Sequence, residues 1–116
     1  MSVLLDMDVI NDLIELGDGD TEFITDLIQT FLTDAEETIP QLKAAIEAGD
    51  AEKIRRIAHS LKGASANIGG IGIAEVGEQI EQKGRDGDLA GVATLFEEFM
   101  HRYEQTQAEL RQLNLI

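Results

Sequence analysis

The chain has no cysteine, no tryptophan and a single proline, Pro40. Without thiols it can form neither disulfides nor thiolate metal sites. Aromatic residues are only 4% of its 116 positions, so a core drawn from the 43% that are hydrophobic must be mostly Leu, Ile, Val and Ala. Those residues suit packed helices. No stretch approaches the roughly 20 apolar residues of a membrane span, and no charged segment followed by a long apolar run marks the N-terminus. A cytoplasmic protein with no membrane partner is expected. Positive charge is scarce as well, nine Lys and Arg against 23 Asp and Glu, for a net charge of −14. That balance argues against nucleic acid, whose phosphates need a basic footprint.

The few cations are unevenly placed. Six of them, Lys53, Arg55, Arg56, Lys62, Lys83 and Arg85, share a segment with only three acids, Glu75, Glu78 and Glu81. A local positive island of this kind suits an anionic group or an acidic partner, although on this feature alone local variation in an acidic chain is the favoured explanation.

The length fits one domain, 1–116, with no internal repeat or low-complexity tract. Glycines punctuate it. Caps and apolar spacing predict helices over 8–16, 21–48, 51–68, 72–83 and 89–113. Asp8, Asp20 or Thr21, and Asp88 are the expected caps of the first, second and last. In the second, Phe23, Ile24, Leu27, Phe31, Ala35, Ile39, Leu42 and Ile46 mark one buried face, and Pro40 predicts a kink. Gly84 to Gly87 read as a turn. Short connections imply antiparallel neighbours, hence an all-α, up-down four-helix bundle with a short extra N-terminal helix.

The helix over 51–68 breaks the pattern. At about 100° per residue, Ile54, Leu61, Ala64 and Ile68 cluster around Ile57 as a buried stripe. His59 falls about 200° from Ile57, facing outward, flanked by Arg55, Lys62, Gly63 and Ala66. Gly63 is a poor choice for an exposed helix interior, where Ala is more stable by about 0.8–1.0 kcal/mol. Its missing side chain leaves the imidazole approachable. Lys62 is placed to neutralise an anion on His59, and Arg55 and Arg56 add positive potential that disfavours imidazolium. A neutral, exposed, nucleophilic ring beside a cation suits the acceptance of a phosphoryl group.

The run His59-Ser60-Leu61-Lys62-Gly63-Ala64-Ser65-Ala66-Asn67-Ile68-Gly69 closely resembles the signature of histidine-containing phosphotransfer (HPt) domains. That signature reads His-x-Leu-Lys-Gly-small-Ser-x-x-apolar-Gly, and the resemblance extends over the whole chain. It implies a phosphoryl carrier in a multistep two-component relay, taking the group from a receiver-domain aspartate, or from a hybrid sensor histidine kinase, and passing it to a response regulator. It implies no ATP site, no metal or cofactor bound by this chain, Mg²⁺ on the partner receiver, and a monomer. By position His59 becomes the phosphoacceptor, Lys62 the phosphate-neutralising cation and Gly63 the space for docking. By the same analogy Ile10, Leu13, Ile14 and Ala66, with Phe23, are candidates for the receiver-binding face. Family members often carry glutamine 22 positions after the histidine, where this chain has Glu81. A hairpin folded near residues 70–71 brings Glu81 level with His59, where it would orient the ring; a solvated Glu81 paired with Arg85 is the alternative.

Other features carry less. His101 has no flanking signature, and two distant histidines without cysteine make no zinc site. Asp18 to Glu22 begin like a calcium loop, but Phe23 and Gln29 occupy its glycine and glutamate positions. A helical docking domain without phosphotransfer is the rival reading, disfavoured by the intact His-Lys-Gly set. The phosphoacceptor domain of a chemotaxis-type kinase is a third; the absence of kinase sequence after Ile116 argues against it unless the chain is an excised fragment, and a free-standing carrier and a domain cut from a larger kinase both stay open.

Overall fold

The computed structural model describes residues 3–116, and five α-helices account for most of them: α1 (Met7–Leu16), α2 (Glu22–Ala48), α3 (Ala51–Asn67), α4 (Ile71–Asp86) and α5 (Val92–Gln112). Neighbours pack in the order α2–α3–α4–α5, with α5 returning to α2 and α1 set against α2. This is the expected four-helix bundle with its short first helix. No helix among the described residues is long and apolar enough to cross a membrane.

Aspartate side chains start α1 and α3, and backbone turns close the helix C-termini. Asp6, rather than Asp8, caps α1, its Oδ1 accepting from the Asp8 and Val9 amides at 3.0 and 3.4 Å. Asp20 accepts from Glu22 N at 2.9 Å. Gly49, at φ 66°, ends α2, and Asp50 then caps α3 through Lys53 N at 3.1 Å. Asp88 does not start α5: its carboxylate closes a turn onto Ala90 N, and the helix begins after Gly91. α2 continues on both sides of Pro40 as one 27-residue helix.

The core runs along the bundle axis. In α2 the buried positions are Ile24, Ile28, Phe31, Ala35, Ile39, Leu42 and Ala45. Phe23 and Leu27, expected inside, are exposed, since they sit roughly 60–100° to one side of that stripe. The N-terminal segment straps the α3–α4 turn: Asp6 N donates to Gly69 O at 2.8 Å, Gly72 N donates to Leu4 O at 3.1 Å, and Leu5 is buried beneath.

α4 is longer than expected. It continues through Gly84 to Asp86, so Gly84 lies inside the helix rather than in a turn. Gly77 and Gly84, two turns apart on one face, let α4 approach α3 closely. A Cβ at Gly77 would lie 3.3 Å from Lys62 Cβ, and one at Gly84 would lie 2.7 Å from both Ala51 O and Arg55 N. Between these two glycines, on the same face, is Glu81.

Candidate functional site

The buried stripe of α3 is Ile54, Ala58, Leu61 and Ser65, continued by Ile68, with Ile57 only half-buried. It is rotated from the expected stripe, so His59 lies about 140° from its centre, tipped towards α4 instead of standing opposite the core. The His59 side chain stays 64% exposed, while Glu81 opposite it is 1% exposed. Both Glu81 oxygens lie 3.2 Å from His59 Nδ1. A carboxylate only accepts, so Nδ1 carries the hydrogen and donates it. In the neutral ring Nε2 then holds a free lone pair, and no protein group among the described residues binds it.

A buried carboxylate is stable only if its lone pairs are satisfied. Here three donors do so. Lys62 Nζ lies 2.8 Å from Oε1, the Arg85 guanidinium binds Oε2, and His59 Nδ1 faces both oxygens. Glu81 is therefore not solvated: from a buried position it pairs with Arg85 and also holds His59. Burial pushes the Glu81 carboxyl up, but the hydrogen bonds from Lys62 and His59 outweigh it and hold the group below its ordinary value. Lys62 also reaches Glu78 Oε2 at 2.7 Å, and its bonds to Glu78 and Glu81 hold its ammonium above the usual range.

These pairings fix where the remaining expected residues lie. Lys62 rests between two acids of α4. Arg55 is turned to Glu52 of its own helix, Nε to Oε2 at 3.0 Å. Arg56 lines a groove between α2 and α3 with Gln41, Lys53 and Ile57, on the flank away from α4. Gly63 faces open space, where an added Cβ would meet nothing within 4 Å. Ile10 is not a surface residue: it is 1% exposed and packs beneath the Gly69 turn. Leu13 and Ile14 are half-buried against the core, and Ala66 is exposed. The large apolar side chains exposed on α1 and the first turns of α2 are Met7 at 42%, Leu16 at 70%, Phe23 at 42% and Leu27 at 37%. The spacing of Leu16 and Leu27 is equally compatible with a core stripe, so their exposure is not legible in the sequence.

The Hpt domain family matches residues 26–114, a segment that holds His59, Lys62, Gly63 and Glu81. The chain belongs to the Hpt domain family. Multistep phosphorelay regulator 1 of Schizosaccharomyces pombe is 37% identical over 89 residues, covering 72% of this chain and 30% of that protein. Phosphorelay intermediate protein YPD1 of Saccharomyces cerevisiae is 31% identical over 85 residues, covering 72% of this chain and 51% of that protein. The chain thus spans between about a third and a half of the length of these curated relatives. Histidine-containing phosphotransfer protein B of Pseudomonas aeruginosa superposes with a TM-score of 0.86 at 32% identity, over 97% of this chain and 95% of that one. Yeast YPD1p superposes at 0.90 with 19% identity, over 98% and 96%, a likeness of fold.

Two predictions arise from this Hpt domain's site. Gly63→Ala is expected to raise stability by about 0.8–1.0 kcal/mol, because the helix gains a better former and nothing is displaced. The same methyl narrows the approach to His59, so transfer from a docked donor should slow; a melt that rises with an unchanged transfer rate would remove Gly63 from the docking path. The second concerns acid. Glu81 binds its proton less readily when folded than when unfolded, so its contribution to stability is complete above its ordinary value of 4.5 and is lost as pH falls through the lower folded value. Urea midpoints measured against pH should fall in that window, and more shallowly for Glu81→Gln. An identical acid slope in the variant would show that other carboxylates carry the effect.

Proposed function

We propose that this chain is a histidine phosphotransfer intermediate of a two-component phosphorelay, with His59 as the acceptor. The observation that carries the reading is the exposed ring whose Nδ1–H is held by buried Glu81 while Nε2 remains free. The Nε2 lone pair attacks the phosphorus of an aspartyl phosphate on a receiver domain, and the P–O bond breaks with its electron pair leaving on the aspartate carboxylate. The ring becomes cationic as the P–N bond forms, and Glu81 stabilises that charge through Nδ1–H. Run backwards on a second receiver, the step delivers the group to a response regulator.

In this scheme the chain is a carrier and needs no ATP site. Mg²⁺ belongs to the receiver, where it would offset the charge of the transferring phosphoryl group. Lys62 neutralises the phosphoryl group once it arrives, exchanging Glu78 for it, a motion open to a side chain that is 29% exposed. Leu16, Phe23 and Leu27, with Ala66 on α3, form the apolar part of the receiver-docking face. Acids at Glu15, Asp18, Asp20, Glu22 and Asp26 edge that face in sequence and favour a receiver with a basic rim. One exposed ring serves both donor and acceptor in turn, so a monomer suffices, and a cytoplasmic setting follows from partners of this kind.

The test is direct. The protein is incubated with Mg²⁺ and phosphorylated receiver or hybrid-kinase receiver domains, and transferred label is assayed for stability. Acid-labile, alkali-stable label on this chain is the expected result. A wild-type protein that takes no label from any cognate donor would leave a docking domain in its place.

A further inference from the structure

Glu81 is gripped at both oxygens, and the two grips differ. On Oε1, Lys62 divides its ammonium between Glu81 and Glu78, at 2.8 and 2.7 Å. On Oε2, Arg85, one helical turn along α4, pairs with no acid other than Glu81 among the described residues. Its second terminal nitrogen donates to the neutral Gln82 Oε1 at 3.1 Å, and Gln82 in turn donates to Asp86 at 3.0 Å, so the guanidinium is steered from its own helix. We propose that Arg85 is a positioning residue for the phosphoryl transfer, acting through Glu81 to keep the Nε2 lone pair of His59 unprotonated. The inference rests on His59 being the phosphoacceptor.

The physical need is specific to a carboxylate at this position. A neutral amide would accept the Nδ1 hydrogen and leave the ring's basicity nearly unchanged. An ionised carboxylate 3.2 Å away favours imidazolium, and in imidazolium Nε2 carries a proton in place of the lone pair that must attack phosphorus. Cations on the same carboxylate offset that pull. Lys62 does so only in part, because Glu78 competes for it, and it is the side chain expected to move when a phosphoryl group arrives. Arg85 stays on the far oxygen throughout. Of the other nearby charged groups, Arg55 on α3 is already paired with Glu52, and Asp34 and Glu37 of α2 line a groove with Ser60, Leu61 and Ala64 rather than with His59. Neither set replaces a cation on Oε2.

The experiment titrates the His59 ring nitrogens by NMR in wild type, Arg85→Gln and Arg85→Lys, with His101 as internal reference and thermal melts confirming the fold. Label uptake from a phosphorylated receiver with Mg²⁺ is measured over about pH 5.5–8.5 on the same proteins. Arg85→Gln should raise the His59 midpoint by about half a unit or more, leave His101 unmoved, and shift the acid limb of uptake upward in parallel. Uptake at the alkaline plateau should stay within about twofold, because the neutral ring is again available there. Arg85→Lys should restore both midpoints. Label entering with an unmoved His59 midpoint, or a uniform loss of rate at every pH, overturns the role of Arg85 and leaves the carrier reading intact. A shifted midpoint in a wild-type background that accepts no label overturns the carrier reading, and the transfer role of Arg85 with it.

Discussion

His59→Gln is expected to reduce phosphoryl uptake to background while leaving the fold in place. The proposed nucleophile is a ring nitrogen with a free lone pair, and a side-chain amide has none to offer, its nitrogen electrons being delocalised into the carbonyl. The structural consequence is small because the histidine side chain is 64% exposed and its one polar contact is with Glu81. A glutamine NH₂ can still donate to that carboxylate, so stability should stay within about 0.5 kcal/mol of wild type, as for most exposed substitutions. Uptake of acid-labile label and a urea melt on the same preparation check both halves. Label that persists in the variant would move the acceptor elsewhere, with His101 the remaining histidine to test.

The largest effect on stability should come from Gly84→Ala. An alanine in a helix interior is ordinarily favoured over glycine by about 1 kcal/mol. At Gly84 the added Cβ would lie 2.7 Å from Ala51 O and Arg55 N and 3.0 Å from Arg55 Cα, all backbone atoms of α3 that no rotamer change can clear. α4 must then move off α3, and forced overpacking of this kind costs about 1–3 kcal/mol or more. With backbone contacts this short the cost lies at the upper end, and after the helix-propensity gain the net expectation is a loss of about 2 kcal/mol, against a much smaller change for Gly77→Ala, whose nearest neighbours are at 3.3–3.4 Å. The displacement also lengthens the His59–Glu81 contact, so the Nδ1–H signal of His59 should weaken with the melt. Full stability in Gly84→Ala would show that the glycine seam does not set the spacing of α3 and α4.

These two residues show where the sequence was legible and where it was not. His59 was identified by its phase on α3 and by the run that follows it, both local properties. Gly84 reads as part of a turn in the sequence because glycines at 84 and 87 bracket the polar pair Arg85-Asp86, the usual mark of a helix end. The structure carries α4 through it, since the close approach to Arg55 stabilises the extra turn and the helix stops at Gly87, at φ 67°. Ile10 and Leu16 exchanged roles for a related reason. On a ten-residue helix both fit an apolar stripe, and contact with the Gly69 turn buried Ile10 while Leu16 was left 70% exposed.

The sequence by itself determined the number and approximate limits of the helices, the all-α bundle, the outward face of His59, and the Lys62–Gly63 pair beside it. Those follow from periodicity and capping, which act within a few residues. Only the tertiary structure decided that Glu81 is buried, that it grips His59 Nδ1 across 22 positions of chain, and that Lys62 and Arg85 bind its two oxygens. Periodicity gives an angle about one helix axis, whereas those contacts depend on how far α3 is rotated towards α4 and how closely the two approach. That closeness is set by Gly77 and Gly84, on either side of the carboxylate that holds the ring.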